Sequence, residues 1–428
     1  MAAPAHSFAG KGDGNALPVL PTDIIIDIIQ HADWPTLKAL SLMSHNSLTA
    51  SAPILCRSFI ISVKAKSKGS NPRTLAAYTD GLKNHSRAAY IKCIYIDLYG
   101  KLRNMHGRPS VKVQFTELIL AFKGLKRFEL LEIDLSVPTP SALVEGLRNV
   151  ELPITLSHLR LFCNIPNIAT ALGESFWKRH APHLKSLVFA GAAEEGSLEN
   201  NFPAPFPVLK DLSVAYPYAI QDLHIPGNTL RSLAIAEIRQ SEVSELYETL
   251  ANSPGSGAPI IANLENFEFD CTGTGFDPAY MYASVVTHMS QLRKVKAKHD
   301  RFSSERSLSD ARDALLRLPY LEEFEWMTED RLFIVKTWEP DWQDREILVI
   351  GDWGPMGMRR YIYENANGYG DDEGSRAEEE GCIKFAESLN GCESLRRVIF
   401  WNPHIDDTGV VVSRTAFGAP WNRSSGNS

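Results

Sequence analysis

The sequence predicts an α/β fold in which short strands alternate with helices and align side by side in one elongated parallel sheet. Three observations support this prediction. A six-residue phrase of leucine and apolar residues recurs along the chain, its copies begin about 29 residues apart, and segments with helix start signals lie between them. A strand followed by a returning helix, repeated many times, places a parallel sheet on one side and helices on the other.

The phrase places leucine first, a charged residue second, and apolar residues fourth and sixth. Strict copies begin at Leu125, Leu184, Leu209, Leu230, Leu264, Leu292, Leu321 and Leu395, and looser copies begin at Ile91 and Leu156. Chance alone predicts about two matches in a chain of this composition, and two further matches, at Leu37 and Leu147, lie off the repeat. Positions 1, 4 and 6 are expected to face the core, and positions 3, 5 and 7 the concave side.

Successive copies between Ile91 and Leu321 begin 21 to 34 residues apart. This drifting period resembles that of a leucine-rich-repeat solenoid, with the parallel sheet on the concave side and the helices outside. The alternative is a set of separate α/β domains that each contain parallel strands. The solenoid interpretation predicts one continuous core that contains the side chains of Leu187, Leu212, Leu233, Phe267 and Phe324.

Residues 17–62 predict a unit of three short helices ahead of the repeats. Pro21 suits the first turn of a helix, and Asp33 suits the cap of the next one. The first two helices carry apolar residues at helical spacing, which are Ile24, Ile25, Ile28, Ile29, Leu37 and Leu40. Because three helices of this size cover little apolar surface, we expect a partner to cover the remainder.

This segment resembles an F-box, whose pattern is carried here by Leu20-Pro21, Asp23, Ile24, Ile28-Ile29, Leu37, Leu40 and Leu42. The stretch 43–48 lacks the tryptophan of the family pattern. The resemblance implies docking to the Skp-type adaptor of a cullin–RING ubiquitin ligase through Leu20, Pro21, Ile24, Ile28, Leu37 and Leu40. The alternative is an ordinary helical cap on the repeats. The repeats themselves are similar to the divergent repeat regions of fungal F-box proteins.

The repeat region is expected over 63–412, with an insertion at 328–381 that breaks the rhythm. Alternating segments in this insertion predict strands at 331–336, 346–350 and 359–363. Tryptophans cluster there, and an acidic, glycine-containing loop follows at 368–381. The two ends of the chain, 1–16 and 413–428, are predicted to be disordered.

Composition excludes several classes of function. The net charge of −7 and the pI near 6.0 give no electrostatic footprint for nucleic acid. No apolar run approaches the roughly 20 residues that span a bilayer, and the N-terminus lacks the features of a secretory signal. Six cysteines without a Cys-x-x-Cys pair predict free thiols in a reducing compartment, the cytoplasm or the nucleus.

No catalytic motif is present, so the sequence predicts neither an enzyme nor a cofactor or metal site. It does predict charges on the concave side, carried by Glu268, Asp270, Lys294, Lys296, Lys298, Glu323 and Glu325. These charges either pair across the sheet or recognise a partner. The favoured function is the substrate-recognition subunit of a cullin–RING ligase, with a target protein on the solenoid. The alternatives are a repeat scaffold outside any ligase and an enzyme whose site is assembled from dispersed residues.

Overall fold

The structure of the protein is a computed structural model. It describes residues 22–43, 45–64, 75–83, 88–99, 111–135, 140–152, 155–162, 168–189, 202–220, 223–251, 259–272, 277–299, 305–328, 334–336, 346–348, 381–402 and 406–424.

Three short helices open the described chain: α1 Thr22–His31, α2 Trp34–Met43 and α3 His45–Leu55. As the sequence predicts, Asp33 caps the second helix, because the backbone N–H of Thr36 donates to its carboxylate at 2.9 Å. Hydrogen bonds from the side chain and then from the backbone N–H of Thr36 lower the pKa of the Asp33 carboxyl. Ile29 and Leu37 are buried between the helices. Only two residues separate α3 from the first strand, so the helical unit joins the sheet directly.

Among the described residues, thirteen strands form one sheet, and each strand up to β10 pairs in parallel with the next. The strands are β1 Ser58–Lys64, β2 Cys93–Tyr99, β3 Leu130–Leu135, β4 His158–Phe162, β5 Ser186–Phe189, β6 Asp211–Val214, β7 Ser232–Ile235, β8 Asn266–Asp270, β9 Lys294–Lys298, β10 Glu323–Met327, β13 Arg397–Asn402, β14 Asp406–Ser413 and β15 Asn422–Ser424. The remaining two, β11 Ile334–Lys336 and β12 Glu346–Leu348, form a separate antiparallel pair.

Helices connect most of the strands, as expected for a repeated strand and returning helix. They are α4 Leu75–Lys83, α5 Val111–Ala121, α6 Pro140–Asn149, α7 Ile168–Leu172, α8 Glu174–His180, α9 Val243–Ala251, α10 Pro278–His288, α11 Glu305–Leu315 and a helix over 381–388. Pro278 begins α10 and Asp277 caps it, as the sequence signals indicate.

A regular backbone pattern fixes the register of the repeats. The carbonyl oxygen at position 2 of each phrase accepts two backbone N–H groups from the next repeat. For example, the carbonyl of Lys185 accepts from Lys210 at 2.8 Å and from Asp211 at 3.0 Å. The same pair of bonds recurs from Arg57 through Glu322. These bonds hold the residues at each phrase position in rows that run across the sheet.

The register corrects one repeat. The leucine phrase predicts a copy at Leu125, but the strand begins at Leu130. The inward positions of this repeat are Phe128, Leu131 and Ile133. Leu125 is buried in the turn before the strand, where its N–H bonds the carbonyl of Phe122. The strict requirement for leucine at position 1 hid the true copy, because phenylalanine occupies that position.

The predicted core is confirmed. Leu187, Leu212, Leu233, Phe267 and Phe324 are at most 2% exposed and belong to one cluster that runs from Ile61 to Trp421. The cluster lies between the parallel sheet and the layer of helices. Separate α/β domains are therefore not what the described chain forms.

The boundaries of the repeat region need two corrections. Residues 58–62, which the sequence analysis assigns to the helical unit of 17–62, begin the first strand of the sheet. Cysteine stands at position 1 of this copy, so the leucine phrase does not reveal it. At the other end, the disordered tail expected from residue 413 is wrong for 413–424, because β15 pairs with β14 and Trp421 is buried in the core.

The expected insertion is only partly described. The hairpin of β11 and β12 coincides with two of its three predicted strands, and the segment 359–363 lies outside the described residues. Thr328 belongs to the sheet, since its N–H bonds the carbonyl of Trp401 at 3.1 Å. The helix over 381–388 buries Cys382 and Phe385 in the core, so it is the helix of the last repeat.

Candidate functional site

The helical unit exposes many apolar side chains. On α1, Ile24 is 46% exposed and Ile28, one turn later, is 43% exposed. On α2, Leu42 and Met43 are 87% and 75% exposed. The core of the unit consists of few residues, and Ile29 and Leu37 lie outside the continuous cluster beneath the sheet. Exposed apolar residues on neighbouring short helices are typical of a protein-docking surface.

The residues proposed for adaptor contact do not all lie on this surface. Ile24 and Ile28 are exposed, whereas Leu40 is half-buried. Leu37 is 4% exposed, so it supports the packing of the unit from inside. Leu20 and Pro21 lie outside the described residues.

The predicted concave charges lie on adjacent strands and pair with one another. Lys296 lies 3.0 Å from Glu268 and 3.9 Å from Glu325, Lys294 lies 2.5 Å from Glu323, and Lys298 lies 3.3 Å from Asp270. Cross-strand register explains the pairing, because each lysine of β9 stands beside residues of β8 and β10 at the same phrase position. We call this set, with Arg397, the charge ladder.

Arg397 is the member of the charge ladder that the sequence analysis missed. Its guanidinium lies 3.4 Å from Glu323, on the side opposite Lys294. In the sequence, 74 residues separate the two partners, so only the register of β10 with β13 brings them together. The charge ladder holds four cations and four carboxylates, and Glu325 is buried to 8% exposure at its centre. A set with balanced charge has little net attraction for a strongly charged partner.

The concave side changes character toward the middle of the sheet. On β5, β6 and β7 the corresponding positions carry small or uncharged side chains, except for Asp211. Burial raises the pKa of the Asp211 carboxyl, while the charges of His158, Lys210 and Arg160 act in the opposite direction. The middle of the concave side is therefore smooth and only sparsely charged.

Two buried histidines in the repeats have structural partners. The Nδ1 atom of His180 accepts the backbone N–H of Leu156 at 3.1 Å, and burial lowers the pKa of this imidazole to about 4. The hydroxyl of Tyr282 lies 3.0 Å from Nε2 of His299, and the His299 ring stacks on Trp326. These groups lie inside the solenoid and join neighbouring repeats.

Other classes of site find no support in the part of the chain that the structure describes. No group of three or more histidine, cysteine or carboxylate side chains in these ranges could hold a metal ion. Within the same ranges, no helix is long and apolar enough to cross a membrane. An open groove of about 490 Å³ lies between β10 and β13, lined by Glu322, Glu323, Ser394, Arg396 and Arg397.

Comparison with known proteins identifies no family. No family model matches the chain, and no curated protein matches its sequence. Among solved structures, the chain is similar to the leucine-rich repeat-containing protein LegL7 from Legionella pneumophila. That similarity has 12% sequence identity and a TM-score of 0.38, and it covers 81% of this chain and 91% of the LegL7 chain. A TM-score this low supports no argument about the fold, which rests on the strand order and the continuous core of the chain itself.

Proposed function

We propose that the protein is a non-enzymatic recognition subunit, with a docking unit at its N-terminus and a repeat surface that holds a second protein. The observation that carries this proposal is the contrast in burial between the two parts. The helical unit leaves Ile24, Ile28, Leu42 and Met43 in solvent, although it is joined to a solenoid that buries its own apolar residues. A permanent partner on the helical unit would remove this apolar surface from water.

The proposed partner of the helical unit is a Skp-type adaptor, so the chain would act as the substrate-recognition subunit of a cullin–RING ubiquitin ligase. The support is the resemblance of the first helices to an F-box, together with the exposure of two residues, Ile24 and Ile28, that this resemblance assigns to the adaptor. A subunit of this kind works in the cytoplasm or the nucleus. The second candidate is a repeat scaffold that never joins a ligase, which the absence of any family match leaves equally open.

A charge substitution on the helical unit tests the adaptor proposal. We expect Ile24→Glu with Ile28→Glu to abolish co-purification of the adaptor and cullin with the full-length chain, since a buried carboxylate strongly disfavours an apolar interface. The matched control is Val113→Glu with Leu120→Glu, because both residues are 45% exposed and lie on α5. The Leu20→Ala and Pro21→Ala double variant should behave like the first pair.

Mass spectrometry of the purified complexes measures the result. Adaptor capture that survives both the charge and the alanine variants would refute the ligase assignment and favour the scaffold. Equal loss in the α5 control would mean that added charge, and not the helical surface, causes the effect.

We propose that the target protein lies on the concave side, at the charge ladder. The lysines of β9 remain 27% to 40% exposed despite their ion pairs, so a partner can still reach them. Reversal of Lys296 to glutamate should abolish target capture while adaptor capture continues, because the helical unit lies at the other end of the solenoid. Unchanged capture at every salt concentration would leave these charges with a structural role alone.

The absence of catalytic motifs from the sequence supports a chain without an activity of its own. A dispersed active site is the remaining enzymatic alternative. It would require convergent titratable groups in a pocket, and a screen of hydrolase and transferase substrates against the purified chain would detect it.

A further inference from the structure

A row of basic side chains follows the edge of the sheet where the strands begin. Position 2 of each phrase lies one residue before its strand, and the double backbone bonds hold these residues in line. Directly before β5, β6 and β7 the residues at this position are Lys185, Lys210 and Arg231, all of them exposed. We call these three residues the basic row. Because adjacent strands lie about 4.8 Å apart, three cations stand side by side.

Elsewhere along the same edge, two pairs of neighbouring charges neutralise one another. Lys92 pairs with Glu129 at 3.6 Å, and Arg293 pairs with Glu322 at 2.8 Å. In the basic row only Arg231 has such a partner, Glu265 at 3.4 Å. Lys185 and Lys210 make no salt bridge with any residue that the structure describes, although the charge of Lys210 acts on the neighbouring Asp211 carboxyl. The basic row thus places three cations side by side. Arg57 also stands beside Lys92 at the first strand, but there Lys92 has Glu129 as a partner.

This arrangement has an energetic consequence. Like charges at neighbouring positions across a sheet are destabilising, so we expect Lys185 and Lys210 to repel each other. The chain as a whole carries a net charge of −7, which makes a local excess of cations more distinctive. Positions where a chain breaks a local rule without a compensating contact are commonly functional sites.

We propose that the basic row binds an acidic segment of a protein partner, whose carboxylates bridge Lys185, Lys210 and Arg231. Charge complementarity selects this occupant. A short run of carboxylates fits within the basic row at the spacing of adjacent strands. A long polyanion such as nucleic acid would extend past the basic row onto a chain whose net charge is −7. The inference rests on the proposed function, because it assigns to the solenoid a protein partner, and it adds the chemistry of one contact.

The test uses the full chain and a fluorescent synthetic peptide that carries a run of glutamates. Peptides with glutamines in place of the glutamates, and a single-stranded oligonucleotide of equal charge, serve as comparison probes. In fluorescence anisotropy, we expect Lys185→Glu with Lys210→Glu to weaken binding of the glutamate peptide about tenfold or more, since both contacts become repulsive. The affinity of the unmodified chain should fall as salt rises above the physiological range.

The matched control is Lys123→Glu with Lys126→Glu, which changes the net charge equally at exposed sites outside the basic row. Equal loss in both variants would reduce the effect to net charge and overturn the proposal. So would the absence of binding by the unmodified chain, or tighter binding of the oligonucleotide than of the peptide.

The thermal midpoint of unfolding tests separately whether Lys185 and Lys210 repel each other. Lys185→Glu alone gives Lys210 an oppositely charged neighbour, so the midpoint of unfolding should rise; a fall would contradict the repulsion. A chain that does not bind the glutamate peptide can still capture the adaptor. A chain that does not capture the adaptor can still bind the peptide. The two proposals can therefore fail independently.

Discussion

The helical unit and the solenoid differ in how they bury apolar surface. The solenoid gathers the inward positions of every repeat into one cluster from Ile61 to Trp421, while the helical unit buries mainly Ile29 and Leu37 and exposes the apolar side chains around them. The repeats gain stability from their neighbours, since each covers the face of the next. Among the residues that the structure describes, the unit of three short helices has no such neighbour on its outer side, and this difference is the basis of the proposed adaptor contact.

The largest expected effect on stability comes from a substitution inside the continuous core. Phe267→Ala removes a ring that is 1% exposed and in contact with Phe269, so we expect a loss of about 3–5 kcal/mol in the free energy of unfolding. Urea denaturation followed by circular dichroism measures it. The control is Ser232→Ala on the concave side, which should change stability by less than about 0.5 kcal/mol. A small effect of Phe267→Ala would mean that the repeats do not share one core.

The closed C-terminal end of the solenoid offers the next test. The buried guanidinium of Arg414 donates to the carbonyls of Leu395 and Cys392 and to the side chain of Asn390, and it lies 4.8 Å from the ring of Trp421. Arg414→Met should cost about 3 kcal/mol, because it leaves buried acceptors without donors. The thermal midpoint of unfolding measures the loss, and a comparable Arg423→Met variant, at an exposed position, should have little effect. Equal effects at the two positions would contradict a closing role for Arg414.

Acid should destabilise the solenoid through protonation of His180. Burial lowers the pKa of His180 to about 4, below the ordinary value of 6.5, so the unfolded chain binds more protons than the folded chain between these values. The contribution of His180 to the free energy of unfolding is therefore fully present above about pH 6.5 and is lost as the pH falls toward 4. At pH 5 the loss is about 2 kcal/mol. Urea titrations at several pH values measure this slope. The His180→Gln variant should flatten it, and an unchanged slope would assign the acid sensitivity to other groups.

The smallest expected effect concerns the charge ladder. Lys296→Met removes ion pairs from a side chain that is 27% exposed, so we expect a loss of about 0.5–1 kcal/mol. The thermal midpoint at low and high salt measures it, since screening should reduce the difference. A loss as large as that of Phe267→Ala would place the charge ladder among the main sources of stability.

The faces of the strands could be predicted from the sequence because they depend on local spacing. Alternation within a strand decides which side each residue faces, so the inward positions of Leu233 and Phe267 followed from the phrase alone. The cap at Asp33 and the start of a helix at Pro278 are equally local. The role of each surface residue depends instead on which strand lies beside it, which a short phrase does not encode.

Sequence alone therefore determined the repeat, its continuous core and the three short helices ahead of it. Only the tertiary structure decided that Phe128 begins a repeat, that Trp421 closes the core and that Arg397 completes the charge ladder. It also decided that Lys185 and Lys210 stand side by side. The physical reason is the range of the interactions. Side-chain alternation acts over two residues, whereas cross-strand register is set by backbone hydrogen bonds between segments that lie tens of residues apart in the chain.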